Sequence, residues 1–350
     1  MKKACILLVI LLLISCCACA KTPVYEKSGF AMGSFVQVRI YGSEKAAETA
    51  NNVLASINET DAMLSANLEN SEIYKLNESA TGTTVSEEVF DILGDCLSVC
   101  NTTGRVLDIT VGAVSELWGF DTDTPALPEE AQLHEAVQTV GMHKLLLDEN
   151  LLTVAKEQGQ KIDLGAFGKG IACMRALNAL RSEFAPAVLS VGGTVLLYGN
   201  NPDADCWNVG IRNPDGSPDD YCATLALSVE ERDDSLVVST SGNYEKTFEQ
   251  DAKTYHHILD TATGMPVEND IVGVTVVAHG GLVSDALSTV LFIHGLSEQT
   301  LFVLDSYNAE AVFLCSDGRV LVSDGLADKI TLTDSARTLG DLEDTIRANQ

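Results

Sequence analysis

The chain predicts an α+β protein with mixed or antiparallel sheets and flanking helices. Strand-like runs outnumber helical ones, and most follow one another directly instead of alternating with helices as a regular βαβ winding requires. The helices that interrupt them are amphipathic and carry recognisable start and stop signals.

Met1-Lys2-Lys3 is a short positive region, and Cys5 to Ile14 is an apolar run of about ten residues, too short for a permanent span and suited to a secretion signal. Leu13-Ile14-Ser15-Cys16 has the small-residue-then-cysteine pattern of a bacterial lipoprotein signal. Residues 1–20 are therefore expected to be signal and anchor, with lipidation at Cys16; an ordinary signal cut near Ala20 is the alternative. An anchor of several acyl chains would hold the body on the extracytoplasmic side of the cytoplasmic membrane, since one chain binds weakly. Residues 21–27 then read as a short tether, 28–325 as one domain of two joined lobes, and 326–350 as a C-terminal tail.

Val36, Val38 and Ile40 alternate along a strand. Ala50, Val53, Leu54 and Ile57 recur at helical spacing after an expected Ser43 cap. A second helix starts at Ser86, carries Glu87 and Glu88 in its first turn, buries Val89, Leu93, Cys96 and Cys100, and stops at Gly104. Pro128 opens a third, with Leu133, Ala136, Val137 and Val140 on one side and Gly141 after its end. Strands are expected at 144–154, 187–198, 206–211, 222–229, 235–240, 271–278, 310–315 and 319–323. Helices are expected near 168–181, 282–294 and 297–306. Asp148-Glu149-Asn150 and Asp317-Gly318 are hairpin turns.

Composition narrows the partners. With 50 acidic against 22 basic residues and a formal charge of -28, the surface repels phosphate backbones, which excludes nucleic acid as a partner. It also repels free anionic nucleotides unless a metal or local donors offset the field. Four of ten cysteines fall in the leader; Cys96, Cys100, Cys173, Cys206, Cys222 and Cys315 are scattered without a C-x-x-C pair. They read as small apolar core residues, not as a zinc site or a disulfide framework.

Within Asp285-Ala286-Leu287-Ser288-Thr289, a carboxylate and a hydroxyl lie four residues apart on an apolar helical run, so both fall on one face and can grip a hard cation. A water-facing aspartate and a threonine bonded to its own turn would satisfy the same spacing. Just before that helix, Tyr255 to Gly264 clusters a histidine pair, an aspartate and a threonine-glycine turn. Together the two stretches point to a metal-assisted site for a phosphorylated ligand.

Eight blocks then carry a resemblance. They are Met32-Gly33-Ser34; Ser71-Glu72-Ile73 with Asn77; Asp108-Ile109-Thr110-Val111-Gly112 followed by Leu117-Trp118-Gly119-Phe120; Asp163 to Gly170; Val191-Gly192-Gly193; Ser241-Gly242-Asn243-Tyr244; His257-Ile258 with Asp260 and Thr263-Gly264; and Asp285 with Thr289. In order and spacing the chain resembles the FAD:protein FMN transferases, the ApbE-type flavin transferases, from roughly residue 28 to 325. The resemblance implies an ApbE-like fold and a reaction in which FAD is cleaved at its pyrophosphate. AMP leaves, and FMN is joined by a phosphoester bond to a threonine hydroxyl of an acceptor protein, with Mg2+ as the usual metal. Acceptors of such enzymes are flavoprotein subunits of membrane redox complexes or extracytoplasmic reductases, a setting that suits a lipid anchor.

The resemblance also assigns roles. It places a metal at Asp285, Thr289 and the carbonyl of Ala166, and gives Lys169 to the flavin nucleotide. The run Asp163 to Gly170 is by itself a strand, a glycine-punctuated turn and a helix start, where free amides and a lysine can meet phosphate, or merely a tight turn. His257 is the candidate base for the acceptor hydroxyl, with Asp260 near enough in sequence to orient it; Asp285 is the alternative base. The strand's alternation also allows His257 to point into a core contact while His256 faces solvent. Met32, Asp108, Trp118 and Gly119 look like a nucleotide cradle, with a thioether and an indole against flat rings and a carboxylate for ribose or adenine, although Trp118 also suits a plain core. Ser241, Gly242, Tyr244 and Thr263 complete the expected contacts.

The chain departs from the family pattern at Met174, commonly an aspartate, and at Thr261, commonly a proline. No stretch reproduces an acceptor motif, so self-flavinylation is not expected. Two other readings share the site: a metal-dependent FAD pyrophosphatase releasing FMN and AMP, and a non-catalytic FAD-binding lipoprotein.

Overall fold

Alternating apolar side chains become strands of one long sheet in the computed structural model, which describes residues 21–217, 219–229, 231–232 and 234–348. The chain opens with β1 (Val24–Ala31), β2 (Ser34–Tyr41), α1 (Ala46–Leu64), α2 (Glu72–Glu78), β3 (Gly82–Thr84) and α3 (Glu87–Thr102). It continues through α4 (Gly112–Trp118), α5 (Glu130–Thr139), β4 (Leu146–Asp148), β5 (Thr153–Ala155) and α6 (Gly168–Arg181). Next come β6 (Ala187–Val191), β7 (Thr194–Tyr198), β8 (Trp207–Arg212), β9 (Tyr221–Leu227), β10 (Ser235–Gly242), β11 (Thr247–Gln250), β12 (Lys253–His256) and β13 (Ile271–Ala278). It ends with α7 (Gly281–His294), α8 (Glu298–Tyr307), β14 (Glu310–Cys315), β15 (Arg319–Val322), β16 (Ile330–Leu332), β17 (Thr338–Asp341) and α9 (Leu342–Ala348).

The long sheet runs β1-β2-β6-β7-β10-β13-β14-β15-β17. Its neighbours pair antiparallel except β15 and β17, which are parallel. Val36, Val38 and Ile40 on β2 are buried against α1 and α6, whereas Phe35 and Arg39 of the same strand face solvent, the alternation of a half-buried strand. The opposite face is covered by the small sheet β16-β9-β8, whose Trp207, Ile211 and Leu225 pack on Leu197, Val238 and Val312. Helices on one face and strands on the other complete the α+β architecture.

Capping explains why α3 begins where the sequence predicts: the Ser86 hydroxyl accepts from Val89 N at 3.3 Å. The expected Ser43 cap does not form. Lys45 occupies the cap position of α1 without a side-chain bond, and the Ser43 hydroxyl accepts from Lys45 N at 3.1 Å instead. Gly192 and Gly193 divide the expected 187–198 run into β6 and β7.

Both expected boundaries shift. Residues 24–27 belong to β1 and pair with β2, so the tether is shorter than 21–27. The expected tail joins the body: β16 pairs with β9, β17 extends the long sheet, and Leu342 and Ile346 enter the core at 0% and 1% exposure. A chain ending at residue 325 is therefore expected to lose about 3–6 kcal/mol from those two side chains alone, at about 1.5–3 kcal/mol each, and to leave β15 as an open edge. Chemical denaturation of the two lengths checks this. Cys16 lies outside the described residues, and among those described no helix is long and apolar enough to cross a membrane.

Candidate functional site

Helix α7 lies across α6 and the middle of the long sheet, and two glycines permit the close approach. A Cβ on Gly170 would stand 2.0 Å from the Gly281 carbonyl oxygen, and one on Gly281 would stand 2.2 Å from that of Gly170. Gly281→Ala is therefore expected to push the helices apart and cost about 3 kcal/mol or more, at the upper end for overpacking, with a matching fall in melting temperature. Met174, one of the two expected departures from the family pattern, also packs here, its Cγ 2.9 Å from where a Gly281 Cβ would sit.

The crossing brings Asp285 against the start of α6. Asp285 is only 4% exposed. One carboxylate oxygen accepts from Gly170 N at 2.9 Å, and the other accepts from the Thr194 hydroxyl at 3.1 Å with Lys169 Nζ at 4.0 Å. Burial of a carboxylate is costly unless donors and a positive charge accompany it, and here both do. One turn further along α7, the hydroxyls of Ser288 and Thr289 lie 2.7 Å and 3.0 Å from the Ser241 hydroxyl at the end of β10. The Ser288 hydroxyl also lies 2.7 Å from the Asp285 carbonyl oxygen. A carboxylate with clustered hydroxyls is a donor set suited to a hard divalent cation such as magnesium, so these residues fit the expected metal. Ala166 stands half-buried in the turn before α6.

His257 follows β12, half-buried and within the field of Lys169. Its Nδ1 lies 3.1 Å from the Glu245 carbonyl oxygen, which can only accept, so Nδ1 carries the proton and Nε2 is left with its lone pair. Burial, then the nearby ammonium groups of Lys246 and Lys169, lower its pKa to about 4, so the ring is neutral at pH 7. The neighbouring His256 is the core histidine. Its Nε2 donates to the Val267 carbonyl at 3.0 Å, its Nδ1 accepts from Ile258 N at 3.3 Å, and its ring meets the edge of Phe292. His256 thus does not face solvent but makes the core contacts, and His257 beside it is half-buried.

Asp260 does not orient His257. Its carboxylate accepts from Ala262 N at 2.8 Å and closes the turn that carries the exposed Thr263, whose hydroxyl accepts from Met265 N at 3.3 Å. Trp118 is also corrected: at 0% exposure the indole is core, donating to the Gly264 carbonyl at 2.7 Å and packing against Phe248 and Tyr255. Phe120, quoted beside Trp118 but given no role from sequence, is stacked on Trp118 and meets His257 edge-on at 6.5 Å. Gly119 is the left-handed cap of α4, at φ 62°. Both oxygens of Asp108 already have protein donors, Thr110 N and hydroxyl at 2.9 Å and 2.6 Å and Met142 N at 2.8 Å.

Met32 sits at the β1–β2 turn with φ 54°, its amide donating to Asp61 at 2.9 Å. Its Cε lies 3.1 Å from where a Gly168 Cβ would stand, which sets the thioether beside the amide-rich start of α6. Tyr244 covers Gly242, has the Arg212 guanidinium over its ring at 5.6 Å, and burial raises its hydroxyl pKa. The structure therefore joins Met32, Lys169, Ser241, Asp285 and Thr289 in one region, with His257 near enough to feel the Lys169 charge. Thr194 and Ser288 join them without having been expected, although Thr194 adjoins the Val191-Gly192-Gly193 block and Ser288 lies within the Asp285 to Thr289 stretch.

The chain is similar in sequence and fold to several known proteins. A protein of Treponema pallidum (strain Nichols) named FAD:protein FMN transferase is 29% identical over 341 residues, 92% of this chain and 92% of its own length. One of Klebsiella pneumoniae (strain 342) with the same name is 27% identical over 304 residues, 86% of this chain and 92% of its own. The crystal structure of the ApbE protein from Thermotoga maritima superposes with a TM-score of 0.79 at 28% identity, covering 87% of this chain and 98% of that one. The flavin transferase ApbE from Vibrio cholerae shares the fold, with a TM-score of 0.74 at 23% identity over 88% of this chain and 99% of its own. The sequence model of the ApbE family matches residues 32–313, and with that match this chain belongs to the ApbE family.

Proposed function

We propose that this chain is an FAD:protein FMN transferase, moving FMN from FAD to a threonine hydroxyl of an acceptor flavoprotein and releasing AMP. One arrangement carries the reading: a buried carboxylate, Asp285, pinned by Gly170 N and the Thr194 hydroxyl beside Lys169, an ammonium whose charge a neutral histidine, His257, also feels. In the proposed step the acceptor oxygen forms a bond to the FMN phosphorus while the phosphoanhydride bond to AMP breaks. AMP leaves with the bridging oxygen, and the hydroxyl proton passes to His257 Nε2. Lys169 and the amides at the start of α6 receive phosphate oxygens, and Met32, Ser241, Gly242 and Tyr244 border the nucleotide.

Asp285 and Thr289, with the Ala166 carbonyl, would hold Mg2+, which when bound offsets charge developing on the phosphates. The acidic body makes such compensation necessary, since its formal charge of -28 opposes a free dinucleotide. Lipidation at Cys16 would keep the enzyme at the extracytoplasmic face of the membrane, beside acceptor subunits of membrane redox complexes or reductases.

Intact-mass analysis tests the reading directly. The purified chain is incubated with FAD, Mg2+ and an acceptor bearing a threonine motif, while chromatography follows AMP and FMN. An acceptor heavier by one FMN less water, with matching AMP, is the expected result. Free FMN and AMP with an unmodified acceptor would mean a hydrolase, and unchanged bound FAD a binding protein; either overturns the proposal.

A further inference from the structure

We propose that Thr194 is a positioning residue for Asp285, its hydroxyl fixing the carboxylate in the orientation that a divalent cation and Lys169 require. The inference rests on the metal-assisted reading of this site.

Thr194 opens β7 directly after the Gly192-Gly193 turn and is 0% exposed. The turn lies unusually close to its surroundings. Gly192 has φ 55° and a Cβ there would meet the Ser34 hydroxyl at 2.8 Å, while one on Gly193 would meet the Thr240 carbonyl oxygen at 2.9 Å. This approach sets the first residue of β7 under α7, and the branched Cβ of threonine restricts the hydroxyl to few rotamers.

From there the hydroxyl donates to one Asp285 oxygen at 3.1 Å, while Gly170 N donates to the other at 2.9 Å. Two donors from two elements hold both oxygens, so the carboxylate cannot rotate about its last bond without losing one of them. An ionised carboxylate has about four lone-pair sites, so roughly two remain for a cation after these bonds. The same oxygen that Thr194 holds is the one 4.0 Å from Lys169 Nζ, so the hydroxyl sets the distance between the site's anion and its cation.

The neighbouring strand argues against a purely structural role. Ser239 on β10 is the register partner of Thr194 and is equally buried, yet its hydroxyl has no hydrogen-bond partner among the described residues. A buried hydroxyl at this level of the sheet is therefore not paired by default, and the Thr194–Asp285 bond is a specific one. Valine has nearly the shape of threonine and favours strands, so it keeps the packing of β7 and removes only the donor to Asp285.

The test compares the full chain with Thr194→Val and Thr194→Ser. Outer partners of metal-binding groups typically matter by ~10–100-fold in affinity or rate. Thr194→Val is expected to weaken Mn2+ binding, read by electron paramagnetic resonance, by about that factor, and to lower kcat for FMN transfer with KM for FAD little changed. Its melting temperature should fall only by the few degrees that loss of one donor to a buried carboxylate explains, with the chain still folded. Thr194→Ser, which keeps the hydroxyl, should restore most of the Mn2+ affinity. Wild-type affinity in the valine variant overturns the proposal, as does equal impairment of the serine variant, which would assign the effect to packing. Absence of Mn2+ binding by the wild type overturns it too. If wild type binds Mn2+ but modifies no acceptor, the transferase reading fails while the affinity order of the three proteins still decides the role of Thr194.

Discussion

Replacing Asp285 by asparagine is expected to lower FMN transfer by on the order of a thousandfold or more while leaving the chain folded. The substitution keeps the shape of a side chain that is 4% exposed but removes the only charge with which it balances Lys169 at 4.0 Å. It also changes the hydrogen bonding, because Gly170 N and the Thr194 hydroxyl both donate to carboxylate oxygens. An amide has one acceptor atom and one donor group, so one of these two donors is left facing an NH2. A charged partner to phosphate chemistry contributes several kcal/mol, and each 1.36 kcal/mol is about tenfold in rate. Acceptor mass and AMP release would measure the loss, with circular dichroism and FAD binding as controls for folding and for the nucleotide cradle. Transfer within tenfold of wild type would remove Asp285 from the chemistry. Loss of FAD binding together with rate would instead mark it as part of the binding surface.

Long elements were legible in the sequence because one face of each is buried. The alternation of Val36, Val38 and Ile40 and the Ser86-capped helix carried their own signals. Short elements were not: α4 has no side-chain cap, and β16, β17 and α9 each bring few apolar residues and find their partners in distant strands. These pieces are held by tertiary contact, which no local period records.

The same division runs through the site. Asp285 and Thr289 were legible because a spacing of four on a helix sets both on one face. What holds them was not, since Gly170 and Thr194 are separated from Asp285 by 115 and 91 residues, and Ser241 from Thr289 by 48. Trp118 shows the limit of residue type as evidence. An indole suits a ligand platform and a core alike, and only the packing of Phe120, Phe248 and Tyr255 around it decides for the core. Alternation set His256 and His257 on opposite sides of their strand without saying which side was inward; the Val267 carbonyl and Ile258 amide, both bonded to His256, supply that answer.

Substitution of His257 by alanine is expected to lower kcat for transfer by ~10²–10⁴-fold, the usual contribution of a positioned general base, with a smaller change in FAD affinity. Loss of the acid limb in the alanine variant distinguishes this role from a merely structural one. In the folded chain the His257 pKa is lowered to about 4 from its ordinary 6.5, first by burial and then by Lys246 and Lys169, so protonation is delayed on acidification. The base is therefore competent, in the neutral form, across the neutral range. Because kcat/KM reports the free enzyme, its acid limb should fall near pH 4 and stay flat through 6.5, where an unperturbed histidine would already have lost half its activity. Stability moves with the same proton but over a different window. The unfolded chain binds the proton below about 6.5 and the folded chain only near 4, so the neutral ring's contribution is fully present above 6.5 and is lost progressively as pH falls toward 4. His256 and His294, both lowered chiefly by burial, act in the same direction. Denaturation midpoints should thus decline between about pH 7 and 5 while kcat/KM holds level, a separation that requires the depressed value. An acid limb at 6.5 would keep a histidine as the base and overturn its lowered pKa, whereas a full rate in the alanine variant would leave Asp285 as the base and return His257 to the wall of the site.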